Sequence, residues 1–186
     1  MILKKEALRR IQCATDEKLM ELDLSDLGLE EVPPEIRKCK HLICLRLSEN
    51  KITSIPDWIG ELSNLTNLSV SENKITSIPR ALGQLSNLEM LFLIDNQITC
   101  IPDWIGSLSK LKNLYLNENQ ITSIPEEIGQ LSNLKFLGLS KNKITSIPKA
   151  LGHFLYNLEC FDFDSKQIID PPEPIKQMLK RQLEGS

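Results

Sequence analysis

The sequence predicts an α/β solenoid: a horseshoe with a parallel sheet on its concave side, short helical turns on its convex side and a helical cap at each end. Three observations predict it. Leu19, Leu42, Leu65, Leu88, Leu111 and Leu134 recur every 23 residues, and Leu158 follows after 24, a period that marks a stacked array. Within each period two apolar residues alternate with polar ones, as in a short strand with one buried face. Finally, 41% of the 186 residues are hydrophobic but only 5% are aromatic, so the core is aliphatic.

The elements follow in order. Residues 1–18 carry Leu3, Ala7, Ile11 and Ala14 at helical spacing, which predicts an amphipathic N-terminal cap. Residues 19–180 hold seven repeats starting at 19, 42, 65, 88, 111, 134 and 158. Their shared unit is L-x-x-L-x-L-x-x-N-x-I-T-S-I-P-x-x-I-G-x-L-S-N. Positions 1, 4, 6, 11, 14, 18 and 21 face inward, and the alternation at positions 4 and 6 marks one short strand per repeat. Identical strands one period apart must run parallel, about 4.8 Å from each other.

Asn50, Asn73, Asn96, Asn119 and Asn142 occupy position 9, where an amide side chain serves as both donor and acceptor for a buried turn. Pro56, Pro79, Pro102, Pro125 and Pro148 open a short helical turn on the opposite side. The glycine at position 19 is expected to let that turn end. Leu27 and Lys166 replace the asparagine in the first and seventh repeats, so both end repeats are atypical, as terminal coils of a stack are. After Pro171-Pro172-Glu173-Pro174, Ile175, Met178, Leu179 and Leu183 predict a closing helix within 172–186 that overlaps the last repeat.

Function must lie on surfaces the core does not claim. Positions 3 and 5 project from the concave sheet, and their most apolar stretch is Met90, Phe92, Tyr115 and Phe136, extended by Ile94. With Arg46, Asn67 and Asn113 these make the candidate partner-binding face. The competing reading is cross-strand packing that merely stiffens the sheet. Cys44 and Cys160 share position 3 and are expected on the same open face. Asp26, Glu49, Glu72, Asp95 and Glu118 form an acidic column at position 8, read either as a solvated rim, relieved by Lys51 and Lys74, or as a seat for a basic segment. Trp58 and Trp104 at position 17 are convex candidates, for shielding the helical turns or for weak self-association with another copy.

Other classes are disfavoured. Twenty-two Lys and Arg against 25 Asp and Glu leave a net charge of -3, without the basic excess of nucleic-acid binders. No apolar run reaches the ~18 residues of a membrane span. The start, MILKKEALRR, does not read as a secretory signal, and five scattered cysteines do not read as a disulfide framework. A cytoplasmic protein with reduced thiols is expected. There is no phosphate loop and no nucleophile elbow. Cys39, His41 and Cys44 lie close in sequence, but Cys39 and Cys44 are expected on opposite sides of the coil, so no metal or cofactor is expected.

The 23-residue unit resembles the leucine-rich repeat family, and its I-P-x-x-I-G-x-L-x-x-L form resembles the intracellular and bacterial class found in Ras-associated scaffold proteins. Glu6-Ala7-Leu8-Arg9-Arg10-Ile11, Leu22-Asp23-Leu24-Ser25 and Val32-Pro33-Pro34-Glu35-Ile36 are similar to the start of the repeat domain of bacterial Roco proteins. Pro171-Pro172-Glu173-Pro174 is similar to their segment leading into a GTPase domain. The resemblance implies a non-catalytic module that receives a protein partner on its concave face, or alternatively the recognition domain of a Roco-type GTPase assembly.

Overall fold

Coil after coil, the predicted alternation becomes a three-residue strand with its middle side chain buried. The computed structural model describes residues 2–177, with side chains from residue 4. The strands are β1 (Glu21–Asp23), β2 (Cys44–Arg46), β3 (Asn67–Ser69), β4 (Met90–Phe92), β5 (Asn113–Tyr115), β6 (Phe136–Gly138) and β7 (Cys160–Asp162). They form one parallel sheet in sequence order. The register advances by one coil at each step: Leu22, Leu45, Leu68, Leu91, Leu114, Leu137 and Phe161 lie side by side beneath it. These residues join the other inward positions in a continuous aliphatic core.

Each coil returns through a 3-10 turn such as Asp57–Glu61, Arg80–Gln84, Asp103–Ser107 or Glu126–Gln130. The proline precedes the turn as its cap residue, with extended backbone, so its missing N–H leaves no partner wanting. The position-19 glycine has a different reason from the expected one. Gly60 and Gly106 lie inside the turns and lack positive φ. A Cβ on Gly60 would stand 2.7 Å from the Ala81 carbonyl, and one on Gly106 2.7 Å from the Glu127 carbonyl. Close approach of the next coil excludes a side chain there, not the ending of the turn. In the sixth repeat the turn Lys149–Leu151 runs on into helix α2 (Gly152–Tyr156), which absorbs the one extra residue.

The asparagine ladder behaves as its chemistry requires. Asn96 is buried; its Oδ1 accepts the Ile75 N–H at 2.9 Å, and its Nδ2 reaches the Val70, Ile94 and Leu93 carbonyls at 3.1 to 3.3 Å. Asn50 closes the atypical first repeat by accepting from Leu27 N and Leu29 N. A second, solvent-facing ladder runs through position 23, where Asn64, Asn87 and Asn133 donate to carbonyls of the preceding coil.

Helix α1 (Ile2–Asp16) lays Ala7, Ile11 and Ala14 on the first coil. Arg10 donates to the Asp23 carbonyl at 3.0 Å, covering an edge carbonyl of β1 that no further strand reaches. Leu19, expected to point inward, is 39% exposed, because no coil precedes it to close over position 1. At the other end Phe161 stacks on Phe163 at 4.3 Å, and a helix over 173–177 buries Ile175. The remainder of the expected closing helix, with Met178, Leu179 and Leu183, lies outside the described residues.

Candidate functional site

The concave surface is built by strands β3 to β6. Phe92 and Tyr115 occupy paired positions of β4 and β5, and their rings stack at 4.9 Å with 7° between planes. The register dictates this contact, since in-register neighbours on one face stand within side-chain reach. Met90, Ile94, Asn113 and Phe136 surround the stack, all half-buried, and none of the apolar members belongs to the core cluster. Asn113 Nδ2 donates to the Tyr115 hydroxyl at 3.2 Å, fixing that ring's tip. Asn67 is held by the Thr66 hydroxyl, 2.8 Å from its Oδ1. The sheet thus presents an ordered apolar shelf about three strands wide.

Toward its C-terminal side the shelf meets a polar network that the repeat pattern did not reveal. Asn117 Nδ2 donates to Ser140 Oγ at 2.7 Å and to Asp162 Oδ2 at 2.6 Å, and the Ser140 hydroxyl reaches the same carboxylate oxygen at 2.7 Å. Asn117 crosses the space above Gly138, where any Cβ would collide with its amide. The glycine was the only sequence signal: position 5 of the sixth repeat lacks a side chain where its two predecessors carry Phe92 and Tyr115.

Toward the N-terminal side the face is charged. Arg46 pairs with Glu21 at 3.1 Å, which holds its guanidinium above the usual arginine value. Cys44, expected on the open face, is instead buried at 6% exposure. It stands in register between Glu21 and Asn67 with a side chain too short to clear them, and burial pushes its thiol pKa up. Cys39 packs inward against the Thr15 hydroxyl, and His41 Nε2 lies 3.0 Å from the Ala14 carbonyl. All five cysteines are free thiols. Among the described residues no group of three or more His, Cys, Asp or Glu is placed to hold a metal.

The acidic column borders the shelf where the strands end. Asp26, Glu49, Glu72 and Asp95 are exposed and take part in no ion pair among the described residues, whereas Glu118 pairs with Lys141 at 2.9 Å. Lys51 and Lys74, expected to relieve the column, form no ion pair among the described residues. Each column member has a left-handed backbone, with φ between 52° and 58°, a conformation that a β-carbon disfavours. Asp26 and Asp95 are of a type that tolerates this state, but Glu49, Glu72 and Glu118 are not, so the sequence did not announce it for the column as a whole.

On the convex side Trp58 and Trp104 are half-buried and pack against the core. The Trp104 ring lies 3.1 Å from where a Cβ on Gly83 would be, so it fills the space beside the preceding turn. That geometry favours shielding over a free contact surface.

The family model described as Leucine rich repeat matches residues 17–75, 63–121, 99–144 and 109–162. The chain is a leucine-rich repeat protein. The fold of this family generally serves interaction rather than catalysis. Among solved structures, the leucine-rich repeat chain is similar to the plant peptide hormone receptor RGFR1 in complex with RGF2, at 32% identity and a TM-score of 0.67 over 78% of its length. It is also similar to the crystal structure of PEPR1-AtPEP1, at 34% identity and 0.61 over 71%. It spans 24% and 19% of those chains, about a quarter or less of each. No curated protein matches it.

Proposed function

We propose that this leucine-rich repeat protein is a non-catalytic recognition module that receives a protein segment on its concave face, centred on Phe92 and Tyr115. The observation that carries this reading is the stacked pair itself, with Met90, Ile94 and Phe136 around it. These are large apolar side chains arranged on a face where the core makes no demand. Fully covering such a side chain is worth ~1.5–3 kcal/mol before association costs. A rigid aromatic anchor loses little conformational freedom on binding. The polar network at Asn117, Ser140 and Asp162 supplies acceptors beside the anchor for the backbone or side chains of a bound segment. The similar plant receptor in complex with RGF2 supports a peptide-like partner.

The test is affinity capture with wild type, Phe92→Glu and Tyr115→Glu, each checked for an unchanged circular dichroism spectrum. Both variants lose the captured partner; equal recovery by all three proteins rejects the concave face. Five unpaired cysteines support a reducing, cytoplasmic setting. The sequence likeness to Roco arrays at both ends supports a second reading, the recognition arm of a Ras-like GTPase assembly, which a GTP-binding protein in the captured fraction would favour.

A further inference from the structure

We infer that the segment received on the concave face is cationic, an extended peptide with one large apolar side chain on the Phe92 and Tyr115 shelf and Lys or Arg residues along the rim. This rests on the concave-face reading above and names the partner's chemistry. Among the described residues, charge on the concave side is unbalanced. Every cation between positions 2 and 8 of the repeats is already held: Arg46 by Glu21, Lys112 by Glu89, Lys135 by Glu159 and Lys141 by Glu118. Lys51 and Lys74, just beyond the row at position 10, have no ion-pair partner among the described residues and offset part of its charge, but the carboxylates are not used up. Asp26, Glu49, Glu72 and Asp95 have no ion-pair partner among the described residues, and neither do Asp162 and Asp164 at the far end. Each strand pairing advances one coil, so the four rim carboxylates form a row with about 5 Å between neighbours, ending at Asp95, next to Ile94 of the shelf.

The row spans about 15 Å from Asp26 to Asp95, the reach of roughly five residues of extended chain; side chains on one face of such a chain recur about every 6.6 Å, and the flexible stems of Lys and Arg make up the difference from the row's pitch. The Asp95 end joins the apolar anchor to the charges, so one segment can engage both. The same surplus argues against other occupants. Nucleic acid and anionic lipid would be repelled, and a second copy docked face to face would oppose carboxylate to carboxylate. Association steered by such a rim is sensitive to salt, because exposed charges are screened over roughly 10 Å at 0.1 M ionic strength. The shelf acts instead on the dissociation rate.

The test displays a random dodecapeptide library on phage and selects it on immobilised full-length protein, then counter-selects on Phe92→Glu. Clones lost on that variant are enriched in Lys and Arg with at least one Phe, Trp, Leu or Met. For the consensus peptide, the quadruple variant Asp26→Lys, Glu49→Lys, Glu72→Lys, Asp95→Lys slows association about tenfold at low salt and little near 1 M salt. Phe92→Glu shortens the bound lifetime instead. Clones that depend on Phe92 but show no basic enrichment, or whose association ignores the quadruple variant, overturn the cationic partner and leave the concave-face reading standing. If no clone depends on Phe92, both fall. A concentration-dependent dimer in sedimentation that Phe92→Glu dissolves assigns the face to a second copy and overturns the inference.

Discussion

Replacing Asn96 by alanine isolates what the buried ladder is worth. Among the described residues its Oδ1 is the sole acceptor of the Ile75 N–H. The carbonyls its amide reaches each keep another donor: Val70 O retains Asn73, Leu93 O retains Asn119, and Ile94 O retains the Glu72 N–H. The dominant loss is therefore one orphaned, buried N–H, worth about 1–3 kcal/mol, plus about 1 kcal/mol for the void left by the amide. Asn96→Ala should lose about 2–4 kcal/mol in urea unfolding, read as a lower midpoint at constant slope. Asn64→Ala, which removes only the exposed bond to Lys40 O, is the control and should lose well under 1 kcal/mol. A loss at Asn96 no larger than at Asn64 would refute the ladder argument.

Asn96→Asp sharpens the same test. The substituted carboxylate still accepts from Ile75 but faces carbonyls with no proton to give. Burial and those oxygens raise its folded pKa above the unfolded value. The variant is therefore most stable below the unfolded pKa and loses stability as pH rises through the folded one. Its midpoint should fall from pH 4 to pH 7, whereas Asn96→Ala should stay flat relative to wild type.

Gly106→Ala forces a Cβ to 2.7 Å from the Glu127 carbonyl and should cost ~1–3 kcal/mol, while Gly83→Ala, with nothing nearer than the Trp104 ring at 3.1 Å, should cost less in the same thermal melts. Glu72→Asn eases a left-handed backbone at φ 54° and should raise stability by about 0.5–1 kcal/mol, measured by urea unfolding. Hydrogen bonds from Arg9 and then Arg10 lower the Glu6 pKa from 4.5 to about 2. Its contribution to the cap is thus complete above pH 4.5 and lost as pH falls toward 2; Glu6→Gln should flatten helix loss over that window in circular dichroism.

The spacing of leucines located all seven strands, because a period of 23 admits one register and one direction. Asn50 through Asn142 were readable as ladder members, since a buried amide has few other uses. Three features were not readable, each because it depends on a neighbour from another coil or on backbone state. Gly60 and Gly106 answer to carbonyls 21 residues ahead, a distance no local turn signal spans. The left-handed residues at position 8 are mostly Glu and Lys, whose propensities do not announce positive φ; only Asp26 and Asp95 are of a type that tolerates it. The link from Asn117 to Asp162 crosses 45 residues and left only a missing side chain at Gly138 as its trace. Phe92, Tyr115 and Phe136 were legible as a group because the core had no use for rings.

The side chain of each ladder asparagine refers only to its own coil and the one before it, so the ladder itself holds no internal landmark. Excising or duplicating one 23-residue unit ahead of the network that joins Asn117 to Asp162 would break no class of bond. Such an event is a neutral edit to the scaffold but not to the face, because it shifts the shelf one strand spacing along the carboxylate row. Coil number is therefore an inherited ruler, and recombination between near-identical repeats can reset the distance between anchor and charge in a single step, without a substitution.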